Sequence, residues 1–308
     1  MENQKTDSVL VTGARGFIGR VVCKLLQLDG HRVVALDQLG ASEDRGDATG
    51  REIQCDISDA ARLQDVFEAE RIGAILHLAA VLPTAAQRDP MRATQVNVVG
   101  SQNLLEIARR IGVRRVIFGS SLSVYGSCAA DERVRETHRP APEDLYGAAK
   151  LYVERLGEAY RERDGLEFVA LRIGRVVGEG AHSSTSAWRS DIFEKLQAND
   201  PAEIALNFVP QERLLLVHVA DVSRMLLLLL QRPRLSHMIY NAPCDSVIVA
   251  ELKRTVESLN PKILVKLGNE IAEGNPRQLD SSRFEQEFGF RAVPVLDQLK
   301  QAASIGPV

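Results

Sequence analysis

The sequence predicts an α/β chain: a doubly wound parallel sheet with helices on both faces, followed by a smaller C-terminal lobe. Three observations carry this reading. Short β-branched runs alternate with longer amphipathic stretches. The runs are apolar along their length, as strands covered on both faces are. The first run also passes through three glycines straight into the first helical stretch.

In chain order, residues 8–12 read as a buried strand and 17–28 as a helix. A strand over 31–36 leads into a polar Gly/Asp/Ser-rich loop over 38–50. A weak strand at 52–55, a helix at 60–70 and a strand at 74–78 follow. Residues 90–111 carry helical spacing with Pro90 near the start, and 115–118 form another strand. A long helix over 143–163 and a strand over 168–173 complete the alternation. The rhythm then breaks. A Ser/Thr-rich stretch, 182–190, joins shorter elements at 191–197, 214–219, 221–230, 238–241 and 247–259, with a short helix at 281–288. This predicts a first domain over 1–176 and a smaller lobe over 177–308 that returns some segments to the first. No Pro/Gly-rich linker marks the boundary.

With 308 residues, 45% apolar and 26% charged, the chain has ordinary globular usage and can bury a large core. A net charge of −3 gives no basic field to draw nucleic acid or acidic lipid. The longest greasy run, 225–230, is too short to span a bilayer, and residues 1–8 are polar. Cys23, Cys55, Cys128 and Cys244 form no Cys-x-x-Cys pair, and the six histidines show no metal-ligand spacing. The expectation is a cytoplasmic protein with reduced thiols and no metal, binding neither nucleic acid nor membrane.

The strongest local signal is Gly13-Ala14-Arg15-Gly16-Phe17-Ile18-Gly19, between the first strand and the first helix. Glycines there permit a tight turn, let backbone N–H groups approach a pyrophosphate, and allow close helix–strand contact. The helix N-terminus offers the phosphates its positive dipole end. A turn with no ligand uses the same residue types. Asp37 ends the second strand, where a carboxylate can accept from ribose hydroxyls and repel a 2′-phosphate, which favours NAD. Arg15 can pair with such a phosphate and keeps NADP open, and Asp37 also reads as a plain turn aspartate.

Tyr146 and Lys150 stand at i and i+4 in a helical stretch and share one face. An ammonium beside a phenol stabilises the phenolate, so the tyrosine can exchange a proton with a substrate oxygen. Ser120 and Ser121 follow the 115–118 strand at its carboxyl end, where open α/β sheets place ligands. Each residue alone also fits a bland role: a surface pair, a helix cap or a turn.

Together these residues resemble the extended short-chain dehydrogenase/reductase family, in its NAD-dependent epimerase/dehydratase branch with a Rossmann domain. Thr12-Gly13-Ala14-Arg15-Gly16-Phe17-Ile18-Gly19 resembles the family's glycine motif. Asp56-Ile57 resembles its adenine-side step, and His77-Leu78-Ala79-Ala80 its cofactor-lining strand end. Asn97, in Val96-Asn97-Val98-Val99-Gly100, resembles the Asn-Val-x-Gly helix. Ser121 and Tyr146-Gly147-Ala148-Ala149-Lys150 match the catalytic serine and helix. The resemblance implies Tyr146 as acid/base, with Lys150 lowering its pKa and holding the nicotinamide ribose. It also implies Ser121 at the substrate oxygen, Ile173 at the cofactor, and a homodimer packed through 90–111 and 143–163.

Three departures bear on the reaction. Leu122-Ser123 replace the Asp-Glu pair of the family's dehydratases, which argues against elimination of water. Arg175 stands where nucleotide-sugar enzymes carry an asparagine. The Arg-Asp-Tyr-Ile-His-Val run appears as Leu214-Leu215-Leu216-Val217-His218-Val219, with Arg213 one residue early and so expected on the opposite strand face. Arg277-x-x-Asp280 does match a substrate-phosphate arginine of the family. Residues 183–190 with Ile192-Phe193-Glu194 resemble sugar-acid dehydrogenases of the superfamily. Thr84, Ser121, Arg175, Arg213 and Arg277 are the expected contacts to an anionic sugar. The leading expectation is an NAD-dependent oxidoreductase or epimerase of a nucleotide sugar. The alternatives are a dehydrogenase of a free sugar acid or small hydroxy acid, and a non-catalytic NAD-binding protein.

Overall fold

The computed structural model describes residues 7–40, 50–181 and 186–305. Most of the expected loop at 38–50, most of the polar start at 1–8 and residues 182–185 of the Ser/Thr-rich stretch at 182–190 lie outside them.

In chain order the elements are β1 (Ser8–Thr12), α1 (Phe17–Leu28), β2 (Val33–Asp37), β3 (Arg51–Gln54), α2 (Ala60–Ala69) and β4 (Ile72–His77). Next come α3 (Pro83–Arg88), α4 (Pro90–Thr94), a π-turn at Gln95–Gly100, α5 (Ser101–Ile111), β5 (Arg115–Ser121) and β6 (Arg133–Val134). Then follow α6 (Leu145–Asp164), β7 (Glu167–Ile173), β8 (Arg175–Val177), α7 (Trp188–Ala198), β9 (Ala202–Phe208), β10 (Arg213–His218) and α8 (Val219–Gln231). The chain closes with β11 (Ile239–Asn241), β12 (Asp245–Ile248), α9 (Val249–Leu259), β13 (Ile263–Glu270), β14 (Gln278–Leu279), α10 (Ser282–Phe288) and α11 (Val295–Ile305).

The chain divides into two compact units. The first holds the segment up to Val124, then Pro142–Arg172 and Ser223–Tyr240. The second holds Tyr125–Ala141, Ile173–Val222 and the segment from Asn241 on.

The main sheet has seven strands in the order β11-β7-β5-β4-β1-β2-β3. Strands β3, β2, β1, β4 and β5 pair parallel, with Leu10 opposite both Val34 and Ile75. All five residues of β1 are buried, as a central strand covered on both faces demands. Strand order reverses between β1 and β4, the switch point at whose carboxyl end such sheets bind ligands. The core of the first unit joins Leu10, Leu36, Ile75 and Phe118 to Leu104 and Val153.

Local chemistry sets the helix ends. The Asp144 carboxylate accepts from Gly147 N at 2.6 Å and starts α6. Gly165, at φ +75°, ends it in the left-handed conformation. Arg115 is fully buried on β5 and donates bidentately to Glu167, at 2.9 and 2.6 Å. It also donates to the carbonyls of Leu229 (2.5 Å) and Arg232 (2.6 Å), tying the returning segment to the sheet.

The second unit contains a three-stranded sheet, β12-β10-β8, and the parallel pair β13-β9. Trp188, Phe193, Leu214, Leu216 and Leu299 share its core.

Candidate active site

The turn after β1 is built by close approach. Gly13 has φ +68°, and a Cβ on it would lie 2.7 Å from Ala79 N and 2.9 Å from the Leu78 carbonyl carbon. A Cβ on Gly19 would lie 2.1 Å from the Gly13 oxygen. The turn therefore seats on the backbone after β4, and α1 seats on the turn. Gly16 caps α1 with no side-chain acceptor, so the N–H groups of Phe17, Ile18 and Gly19 have no capping side chain. A cradle that side chains would fill, at an uncapped helix start, fits a pyrophosphate.

A chain of hydroxyls and imidazole locks the strand ends beneath this cradle. Thr12 Oγ1 accepts from Leu78 N and Ala79 N, both at 3.2 Å, and lies 2.7 Å from His77 Nδ1. The Ser101 hydroxyl donates to the Asn97 carbonyl (2.8 Å), so at 2.9 Å it accepts from His77 Nε2–H. His77 Nδ1 then accepts from Thr12, and the ring is neutral. Burial, with the Lys150 ammonium second, pulls its pKa down to about 3. Asn97 sits in the π-turn and brackets Val81, accepting from its N–H at 2.7 Å and donating to its carbonyl at 2.9 Å. That bracket fixes the segment carrying Leu78, Ala79 and Ala80.

Asp37 lies at the end of β2, where its carboxylate accepts from Arg15 N (3.0 Å) and Leu39 N (3.1 Å). Asp56 accepts from Ser58 N (2.9 Å), Ser58 Oγ (2.8 Å) and Arg92 (2.6 Å). Burial raises its pKa, but those hydrogen bonds outweigh burial and hold the carboxyl below the usual range. The sequence reading missed Arg92, which lies 36 positions away with no local signal. Ile57 is buried and packs where a Gly100 Cβ would stand, 2.6 Å from that position. Ile173 ends β7 in the second unit.

Ser120 and Ser121 are the last two residues of β5 rather than residues beyond it, because the strand runs three positions past the expected end. Ser121 Oγ accepts from Ser123 N at 3.1 Å and donates to Ser123 Oγ at 3.1 Å. The first turn of α6 lies against the same bend: a Cβ on Gly147 would sit 2.5 Å from the Ser123 oxygen. Tyr146 and Ser121 are thus delivered by abutting segments. The buried Lys150 Nζ donates to Gly119 O at 2.7 Å, lies 4.5 Å from the Phe118 ring centre and 5.4 Å from that of Tyr146. Burial pushes its pKa down to about 7, against the opposing pull of Glu154. Thr84 stands exposed on α3, an element the sequence did not reveal.

The predicted arginines belong to the second unit. Leu214 and Leu216 face its core, while Arg213 and Leu215 share the other face of β10. Arg213 lines two adjoining depressions. One, of about 310 Å³, also holds Arg277 and Glu212; the other, of about 340 Å³, holds Arg133, Cys244 and Ser246. Arg277 donates to the buried Glu212, at 2.8 and 3.4 Å. Glu212 escaped the sequence reading, although it adjoins Arg213. Arg175 does not line either depression; its guanidinium lies 5.9 Å from the Phe208 ring centre. Burial lowers its pKa, and the Glu212 carboxylate opposes that.

The sequence matches the NAD dependent epimerase/dehydratase family over residues 9–242, more than half of the chain, and the protein belongs to this family. It is 26% identical over 293 residues to a mitochondrial L-threonine 3-dehydrogenase of Sus scrofa, covering 92% of this chain and 78% of the relative. It is 37% identical over 188 residues to a UDP-glucose 4-epimerase of Erwinia amylovora, covering 58% and 55%. It is 34% identical over 168 residues to a uronate dehydrogenase of Pseudomonas syringae pv. tomato, covering 54% and 58%. The chain thus spans little more than half the length of the last two. Among solved structures, a UDP-glucose 4-epimerase from Thermus thermophilus in complex with NAD superposes with a TM-score of 0.82 at 26% identity, over 97% and 98% of the chains. An L-threonine dehydrogenase from Cupriavidus necator, holo form, shares the fold with a TM-score of 0.86 at 21% identity, over 96% and 99%.

Proposed function

We propose that the protein is an NAD-dependent dehydrogenase that oxidises a secondary hydroxyl on a small carboxylate, a hydroxy acid or sugar acid. One observation carries the choice of substrate class: Glu212 already holds Arg277, the arginine matching a phosphate contact of the family. The other phosphate position is Leu214, 1% exposed in the core. Of the expected arginines Arg213 remains, its guanidinium making no ion pair among the described residues, and Arg133 lines one depression with it. A planar guanidinium fork matches the two oxygens of a carboxylate. Two relatives, by their names, act on hydroxyl-bearing carboxylates, uronate and L-threonine.

In this reading NAD supplies the hydride acceptor when bound. The Tyr146 phenolate takes the proton of the substrate hydroxyl, and the Ser121 hydroxyl donates to the same oxygen. The Lys150 ammonium favours the phenolate.

A second reading, epimerisation of a nucleotide sugar, draws on the 37% identity to the Erwinia epimerase. Purified protein with NAD, offered galacturonate, simple aldonates, L-threonine and UDP-glucose, separates the two. NADH formed from a carboxylate supports the dehydrogenase; conversion of UDP-glucose alone overturns it. Tyr146→Phe lowers turnover about 10²–10⁴-fold while NAD binding persists. NAD binding with no turnover on the panel returns the non-catalytic reading. We further propose a homodimer through the helices at 90–111 and 145–164, on the family resemblance, with Met91 and Tyr152 exposed there. A monomeric mass by light scattering overturns that arrangement.

A further inference from the structure

Beneath the reacting pair lies a buried polar cluster that the chemistry above does not use. Glu154 stands one turn beyond Lys150 on α6 and is 1% exposed. It accepts from Ser120 Oγ at 2.6 Å and from Arg172, on β7, at 2.9 and 2.6 Å. Ser120 immediately precedes Ser121, and Lys150 binds the carbonyl of Gly119 immediately before Ser120. The end of β5 is therefore stapled to α6 at two successive residues, once by Lys150 and once by Glu154.

We infer that Glu154 is a positioning residue of the hydride-transfer site, holding Lys150 as an ammonium and, through Ser120, holding Ser121 in register with Tyr146. The cation-bearing end of the helix is dry, so charge there is felt at low dielectric. Among the described residues, the titratable groups that face Lys150 are Tyr146 and Glu154 from α6 and His77 from β4. The end of β5 presents only the Phe118 ring, the Gly119 carbonyl and the serines. His77 is neutral, so Glu154 supplies the negative charge that offsets the burial of the ammonium. Arg172 faces Glu154 from the side of β7 and fixes its carboxylate bidentately.

The inference rests on Tyr146 and Lys150 being the reacting pair, and the two can fail separately. Tyr146→Phe tests the pair; Glu154 variants test the support. The first readout needs no substrate: titration of an isotope-labelled Lys150 Nζ resonance. Removing a negative charge disfavours each protonated form, so Glu154→Gln moves the ammonium midpoint downward from about 7. A shift of about one pH unit is a tenfold change in proton affinity. The second readout is NADH formation against pH on the best substrate of the panel above. Glu154→Gln moves both limbs of the profile toward lower pH. Ser120→Ala keeps the charge and lowers turnover without moving the limbs, and Glu154→Asp restores them. Should Glu154→Gln fail to fold, because it strands the Arg172 guanidinium, the Glu154→Gln/Arg172→Gln pair is neutral and carries the same expected direction. An unmoved Lys150 midpoint and an unmoved profile in these variants, beside an inactive Tyr146→Phe, overturn the inference and leave Glu154 a purely structural ion pair.

Discussion

Lys150 shows what burial does to a charged residue. The residue is 4% exposed and its pKa falls from 10.5 to about 7, with burial the larger cause and Glu154 opposing it. The unfolded chain binds this proton up to its ordinary pKa, and the folded chain releases it near 7. Between those values the unfolded state carries more protons, so stability rises with pH across that window; below about 7 the penalty is full and constant. Lys150→Met removes the penalty. Urea unfolding without NAD therefore shows the variant more stable than the wild type at about pH 7, with the gap narrowing at about pH 9. A gap constant across that range contradicts the burial account. Asp37 offers a second test at this scale. Its carboxylate faces the glycine turn through Arg15 N and repels a 2′-phosphate. Asp37→Asn keeps one acceptor oxygen and drops the charge. The ratio of NADP to NAD dissociation constants falls by about tenfold or more, ~1.4 kcal/mol; an unchanged ratio moves the discrimination elsewhere.

The elements divide by what the sequence can encode locally. The bounds of β1 and α1 match the sequence reading residue for residue, because an apolar run, three glycines and a helical period follow one another without ambiguity. The segment at 90–111 is helical as expected, but its middle widens into a π-turn that no periodicity announces. The short polar α3 and the two-residue strands β6 and β14 carry no period at all. Strand β9 alternates, with Ile204 and Leu206 buried, yet the turn chemistry around it is weak. At the site, the i, i+4 spacing displayed Tyr146 and Lys150. Glu154, four residues on, has the look of a solvated helix charge; only the approach of β5 and β7 buries it. The same logic separates two glycines with similar dihedral angles. Gly13 (φ +68°) meets the Ala79 backbone, whereas a Cβ on Gly165 (φ +75°) meets nothing within 4 Å. Gly165→Ala costs about 1 kcal/mol of strain and leaves NAD affinity intact. Gly13→Ala adds a backbone clash to that strain, costing about 1–3 kcal/mol more, and weakens NAD binding. Thermal melts with an NAD titration distinguish the two; equal effects contradict the cradle.

At the scale of the whole molecule, chain order and compact units do not coincide. Ser223–Tyr240 belongs to the first unit although segments of the second precede and follow it in sequence. Its contribution is specific. Strand β11 extends the sheet beside β7, and Ala170 N donates to Met238 O at 2.8 Å. The carbonyls of Leu229 and Arg232 receive Arg115, whose side chain has no exposure. A fragment ending at residue 176 keeps Glu167 as a partner but loses every one of those carbonyl acceptors. A guanidinium left short of acceptors in a dry site carries a desolvation penalty of ~1–3 kcal/mol or more. The lost strand pairing and the apolar face of α8, where Val222, Met225, Leu226 and Leu229 are all buried, add to it. Set against the ~5–15 kcal/mol stability of an ordinary domain, that loss is most of the margin. The fragment 1–176 is therefore expected to show no cooperative melt and no NAD-induced rise in Tm. Adding a peptide of residues 219–241 in trans, at concentrations well above the fragment's, restores part of both. An Arg115→Met change in the same fragment recovers some stability by removing the stranded charge. A fragment that melts cooperatively and binds NAD unaided shows instead that the glycine turn and the main sheet without β11 suffice.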